Sequence, residues 1–262
     1  MHSLPLEPFW VQMGAAWKEE SGWKIPAYFT KPEEEYQKLV SSVVLTDQSH
    51  RGKIKVTGND RIDFLNRMLT NDIRSLAAWT SCRALFLSAQ GKCLADFRVF
   101  VFEDFIMLDT EPELAEASIG LLQQFIITED VQLKDMTRNY AHLGLEGSRA
   151  GQPATAGAVL LSPQASFSGE RSAALFIPAE NVEKIIAALL QEGFSPCGHD
   201  ALQKRRLENK IPRFKKDFDE TWFLNETGLE ETAASETKGC YPGQEVVARL
   251  KTYGGVKKKL CL

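Results

Sequence analysis

Lys238-Gly239-Cys240-Tyr241-Pro242-Gly243-Gln244-Glu245, running on into Val246-Val247-Ala248-Arg249, is the stretch whose reading decides the rest of the chain. A cysteine stands between two glycines, with a lysine before it and a glutamine, a glutamate and an arginine after it. Gly239 and Gly243 permit positive φ or close backbone approach, and Pro242 fixes φ and removes an N–H donor, so the segment reads as a rigid exposed turn. Cys240 is then presented to solvent; the alternative is the small buried hydrophobe that most free cysteines are. Lys238, Arg249 and unpaired turn N–H groups are the features that would lower the pKa of its thiol and raise the thiolate share. Glu245 and Arg249 fall one helical turn apart and are expected to pair, bracing the cysteine turn.

Outward from this motif, the composition is that of a folded protein. The 262 residues suit one large or two small domains, and 44% of them are hydrophobic, ample for a packed core. The formal net charge of -4 creates no global field for nucleic acid or an anionic membrane, so direct nucleic-acid binding is not expected. Local basic runs, Lys204-Arg205-Arg206 and Lys257-Lys258-Lys259, read as solvated faces before phosphate sites. The five cysteines, Cys82, Cys93, Cys197, Cys240 and Cys261, are odd in number and lack the spacing of a zinc or cluster site, which points to free thiols in a reducing compartment. No apolar run approaches the roughly 20 residues of a membrane span, and the N-terminus has no signal-peptide order; the cytoplasm is the expected location.

Along the chain, residues 1–35 mix tryptophan, proline and acids and read as an irregular leader, with Trp10 and Trp17 able to share a helical face. Lys53-Ile54-Lys55-Val56-Thr57 alternates like a half-buried strand, and Asp60 suits the N-cap of a helix carrying Ile62, Leu65, Met68 and Leu69. Thr70-Asn71-Asp72 reads as a turn of short polar side chains. Strands are expected at residues 84–87 and 93–102, with a hairpin return at 105–108, a helix over 114–125, and strands near 131–133 and 141–145. A second strand–helix pair follows at 174–177 and 178–190, then a charged helix from Asp200. This organisation divides into the leader, a first α+β module at 36–146, a second at 147–237, and residues 238–262 as the cysteine motif with the start of a truncated C-terminal barrel.

The pattern Lys-Gly-Cys-Tyr-x-Gly-Gln-Glu resembles the signature of the YgfZ family, relatives of the glycine-cleavage T-protein that bind folate and support iron–sulfur proteins. Collinear pieces extend the resemblance: Asp47-Gln48-Ser49-His50, Val56-Thr57-Gly58, Phe64-Leu65, Gln90-Gly91-Lys92, Phe167-Ser168-Gly169-Glu170, Pro196-Cys197-Gly198 and Arg206-Leu207-Glu208. It implies an α+β, T-protein-like fold of several modules around a central folate-binding cavity, with the C-terminal β-barrel largely missing here. It further implies tetrahydrofolate as cofactor, with Asp96, Asn71, Glu170 and Arg206 as its contacts and Cys240 as the functional thiol. Lys238, Gly239, Tyr241, Gly243, Gln244, Glu245 and Arg249 then support the motif. The implied work is iron–sulfur cluster assembly or repair, and through it tRNA modification, with iron–sulfur client or assembly proteins as partners. The alternative is folate-dependent aminomethyl or other one-carbon transfer. Against it, Ala95-Asp96 keeps only the second of two aspartates of the T-protein pattern, and Ala174 stands where that pattern has a distal glutamate.

Taken as residues alone, Asp96 either faces a cavity or faces solvent, and Arg206 either forks onto a carboxylate ligand or pairs with Glu208 or Glu20. His50 and His199 have no partner at ligand spacing and read as structural.

Overall fold

A computed structural model of the chain describes residues 1–147, 158–161, 166–170, 172–256 and 258–261, the side chains of 158–161 apart. From the N-terminus it forms α1 (Glu7–Gln12), β1 (Ala16–Glu20), β2 (Trp23–Tyr28), α2 (Pro32–Ser41), β3 (Val44–Asp47), β4 (Gly52–Thr57) and α3 (Arg61–Met68). Next come β5 (Ser81–Leu87), β6 (Cys93–Val101), β7 (Ile106–Thr110), α4 (Ala115–Gln123), β8 (Gln132–Asp135) and β9 (Tyr140–Glu146). The rest comprises β10 (Ala158–Leu161), β11 (Ser172–Pro178), α5 (Val182–Gln191), β12 (Ser195–Pro196), α6 (His199–Glu208) and α7 (Gln244–Tyr253).

Two compact units result, Met1–Arg51 with Met136–Ile211, and Gly52–Asp135 with Pro212–Leu262. These bounds differ from the expected modules because strands distant in sequence pair: β3 lies against β9, with Val44 opposite Glu146, so the residues before 52 group with those after 136. Residues 146–158, whose Gly, Ala and Ser content reads as a surface connection, lie outside the described residues apart from Glu146, Gly147 and Ala158.

In the first unit, a five-stranded sheet runs β10-β11-β9-β3-β12 beside the β1–β2 hairpin. Its core joins Leu6 and Trp10 of the N-terminal segment to Leu143, Leu145, Leu175 and Ile177 of the strands and to Val182, Ile186 and Leu189 of α5. The leader is therefore not irregular. Pro8 falls in the first turn of α1 and Pro32 opens α2, positions where a missing N–H costs nothing. Trp17 lies in β1, away from the helix of Trp10.

In the second unit, the antiparallel sheet runs β5-β6-β7-β4-β8. One face is apolar: Ile54, Val56, Ala84, Phe86, Phe97, Val99 and Leu108 meet Phe64 and Leu65 of α3 and Leu122 of α4. On the other face Leu85, Leu87 and Cys93 meet Phe214, Phe218, Leu224, Leu229, Tyr241 and Val247. Lys53 is 0% exposed, so the alternation in β4 marks two covered faces, one apolar and one charged, rather than a half-buried strand. After α7 the described residues form no strand, and no closed barrel is present among them.

Trp10 anchors the first unit, its indole Nε1 donating to Asp47 Oδ2 at 2.6 Å inside the core. Trp10→Phe keeps the ring and removes that charge-assisted bond, and is expected to cost about 1.5–3 kcal/mol in chemical denaturation; an unchanged midpoint would show that the bond contributes nothing.

Candidate functional site

The cysteine motif belongs to the second unit. Gly243 takes φ +79 at the N-cap of α7, and a Cβ there would stand 2.5 Å from the Ser88 carbonyl and 2.9 Å from Gly91 Cα. Gly91, with φ +78, faces Val246 in return. Two turns thus interlock glycine against glycine, which no side-chain-bearing residue permits. Gly239 uses neither freedom: its φ is not positive and a Cβ would meet nothing within 4 Å.

Lys238 turns away from Cys240 and inward. Its ammonium donates to the carbonyls of Asn66, Leu69 and, at 3.1 Å, Asn71, and lies 5.2 Å from the Tyr241 ring centre. The Asn66 carbonyl is among those that α3 leaves unpaired at its C-terminus, where a cation also suits the helix dipole. Burial draws the Lys238 pKa down to about 8. The expected thiolate-stabilising lysine is instead a strut. Tyr241 is buried beside it, and burial followed by Glu236 pushes its phenol pKa up.

The strut lands on Thr70-Asn71-Asp72. Thr70 Oγ1 donates to the Ala233 carbonyl at 2.6 Å and accepts from the Leu85 amide at 2.8 Å, and its carbonyl accepts from the Ser235 amide at 3.0 Å. Asn71 Nδ2 donates to the Arg83 carbonyl at 2.9 Å. Arg83, a residue the sequence reading missed, is buried and grips Asp96 with two bonds of 2.9 and 2.5 Å while donating to the Pro212 carbonyl at 2.6 Å. Its remaining Nη1 is buried and has no partner among the described residues. Asp96, 5% exposed, does not face solvent. The register sets Lys53, Asp109, Arg98 and Arg83 in one row across the sheet; Asp109 stands between Lys53 and Arg98, and Asp96, opposite Leu85, offsets the adjacent Arg83 from outside the row. The signal was present as a lysine, two arginines and two aspartates in strands otherwise rich in Leu, Phe and Val.

Cys240 itself is exposed and lines a groove of about 520 Å³ with Ala89, Pro242, Gln244, Glu245 and Val246. Burial pushes the Cys82 thiol up to about 12 and raises Cys93 and Cys197 as well, leaving Cys240 and Cys261 as the exposed thiols. Glu245 and Arg249 share α7 but form no ion pair, a correction to the expected brace: the turn is held by Lys238, Tyr241 and Gly243 instead.

Glu170 and Arg206 belong to the first unit. Glu170 is gripped by Arg205 and receives a 3.3 Å bond from Asn209; Arg206 is buried on α6, donating to Gln203 at 2.8 Å and the Ile211 carbonyl at 2.7 Å. Its neighbour Lys204 stacks over Tyr36, so the 204–206 run does not present three free cations. In the other run Lys258 lies over Trp222 and Lys259 is 3.9 Å from Glu230, while Lys257 lies outside the described residues. His50 and His199 stack edge to face at 4.8 Å inside the same unit.

The profile of the GCVT N-terminal domain matches residues 6–156, more than half of the chain. The chain belongs to that family. Within the GCVT family it is 27% identical over 254 residues to a chloroplast protein of Arabidopsis thaliana named as a transferase, a match covering 89% of this chain and 59% of the relative. It is 24% identical over 284 residues to an aminomethyltransferase of Anoxybacillus flavithermus, covering 98% of this chain and 78% of that one. Its fold is similar to the crystal structure of glycine cleavage system aminomethyltransferase T from Bartonella henselae, with a TM-score of 0.80 at 20% identity over 95% of this chain and 75% of that one. The α+β, T-protein-like fold expected from the sequence is the fold observed. No described helix is long and apolar enough to cross a membrane.

Removing the strut tests its weight. Lys238→Met leaves carbonyls at the end of α3 without donors and is expected to cost about 1–3 kcal/mol at neutral pH. Because the folded-state pKa lies near 8 and the ordinary value is 10.5, the unfolded chain holds the proton more tightly between them. This titration adds an increment to the wild type beyond its neutral-pH hydrogen bonds, complete above the ordinary value and lost as pH falls through about 8, so denaturation midpoints of wild type and variant should diverge as pH rises across that window. Parallel pH profiles would contradict the buried position of the ammonium.

Proposed function

We propose that the protein binds a reduced folate and serves iron–sulfur cluster assembly or repair, and through it tRNA modification, with Cys240 as its working thiol. The observation that carries the reading is an exposed cysteine on a turn pinned from beneath: Cys240 is open to a groove while Lys238, Tyr241 and Gly243 hold its neighbours in place. A thiol fixed in this way reaches a partner protein at no cost in ordering its own loop.

Tetrahydrofolate suits the charged sheet face. Arg83 Nη1 is a buried donor lacking an acceptor, which a carbonyl or carboxylate oxygen of the ligand supplies, and Asp96 beside it keeps lone pairs for ring N–H groups. Asn71 sets the Arg83 backbone. Glu170 and Arg206, engaged inside their own unit, are assigned to shaping the α6 end of that unit rather than to direct contact. Free thiols among the described cysteines fit a reducing compartment, with the cytoplasm as the proposed location.

A second reading, folate-dependent aminomethyl transfer, draws on the relatives' names. Two features weigh against it. Both oxygens of Asp96 are held by Arg83, and Ala174 is a buried strand residue without a carboxylate.

Calorimetric titration with tetrahydrofolate should give saturable binding to the wild type and affinity weakened at least about tenfold in Arg83→Lys, which keeps the charge and loses the fork. No binding by the wild type would overturn the folate half. In cells lacking the protein, Cys240→Ser should fail to restore iron–sulfur enzyme activity; restoration equal to wild type would remove the thiol from the account. Methylenetetrahydrofolate formed from an aminomethyl donor would favour the second reading.

A further inference from the structure

In the first unit, the N-terminal segment, the β1–β2 hairpin and the turn before β9 enclose a pocket of about 330 Å³, with His2, Ser3, Trp23 and Arg138 among its walls. Ligand pockets span roughly 300–1,000 Å³, so this one suits a small molecule. His2 is held in place from both sides: its amide donates to the Gly22 carbonyl at 2.7 Å, and its carbonyl accepts from the Lys24 amide at 3.0 Å. That bridge sets it beside Trp23, and the two rings meet at 5.1 Å, tilted by 49°. Arg138 Nη2 lies 3.2 Å from His2 Nδ1. A guanidinium only donates, so Nδ1 is the acceptor and the proton of the neutral imidazole sits on Nε2.

Charge selects the occupant. Arg138 is exposed, so its donors are open to a ligand, and among the described residues it forms no ion pair. No acidic side chain is among the walls, and Glu7, carried by the same N-terminal segment, is matched by Lys24 at 2.6 Å. The pocket therefore holds one unspent positive charge on a planar fork, together with the Nε2–H donor of His2. A fork of this kind fits the two oxygens of a carboxylate, and one guanidinium balances one negative charge, whereas a phosphate dianion exceeds it. The remaining walls, Leu4, Pro5, Ala179 and the Trp23 ring, are apolar, which serves an anion with an organic body and does nothing for a bare inorganic one.

We propose that this pocket binds a small organic carboxylate, its charged end taken by Arg138 with His2 as the second donor, its apolar body against Leu4, Pro5 and Trp23. The pocket shares no residue with the folate contacts around Arg83 or with the groove of Cys240, so neither of those readings stands or falls with it.

Benzoate is the probe, titrated into the full chain while the histidine ring signals are followed by NMR. Benzamide is its uncharged counterpart and inorganic phosphate the bare anion. Saturable benzoate binding that moves the His2 ring signals, weakened about tenfold or more in Arg138→Gln and by less in Arg138→Lys, is the expected result. Arg74→Gln, at an exposed arginine of the second unit, should bind as wild type does. Absence of saturable binding, equal binding of benzamide, phosphate binding tighter than benzoate, or an affinity unmoved by Arg138→Gln would overturn the proposal.

Discussion

The ammonium of Lys238 ties together parts of the chain that sequence keeps far apart. It gathers carbonyls from the end of α3 and the turn after it, groups that the helix cannot satisfy for itself, and does so from a position 167–172 residues further along. Burial works against the charge, and the carbonyls and the adjacent Tyr241 ring offset that cost. The result joins the cysteine turn to the Thr70–Asp72 turn, and through Asn71 to Arg83 and Asp96 in the sheet. A thiol-bearing loop and a buried charge row thereby share one anchor.

Geometry elsewhere in the motif follows from that anchor. With Lys238 and Tyr241 drawn inward, Cys240 is left outward, and Gly243 must bring the backbone against Ser88 and Gly91 before α7 can begin. Hydroxyl and amide groups of Thr70 close the arrangement by bonding both strand β5 and residues 233–235. Three other cysteines, shielded within the units, have thiol pKa values driven upward, so reactivity is confined by burial rather than by any feature of the cysteines themselves.

Local chemistry made much of the fold legible. The strands at 81–87, 93–101 and 106–110 and the helix at 182–191 stand close to where periodicity placed them, because each buries a face of regular period. The first 35 residues misled because prolines at helix starts look like breakers until the helix is seen. Lys238 and the Glu245–Arg249 pair misled for a different reason: neighbours in sequence were taken for neighbours in space. Lys238 found its acceptors across the unit, and Arg83 met Asp96 only through strand register. Of Asp96, Asn71, Glu170 and Arg206, the register of the second unit brings Asn71 and Asp96 to Arg83, and the other two make their bonds within the first unit.

Hydrogen exchange resolved by residue tests most directly whether the Lys238 strut makes one body of the two turns. In Lys238→Met, the amides of Ser235, which donates to Thr70, and of Val247, which opens onto Gly243, should lose protection together while that of Ile54 in the central sheet keeps its own. Unchanged protection at Ser235 and Val247, or an equal loss at Ile54, would show that the turns are held by something other than this ammonium.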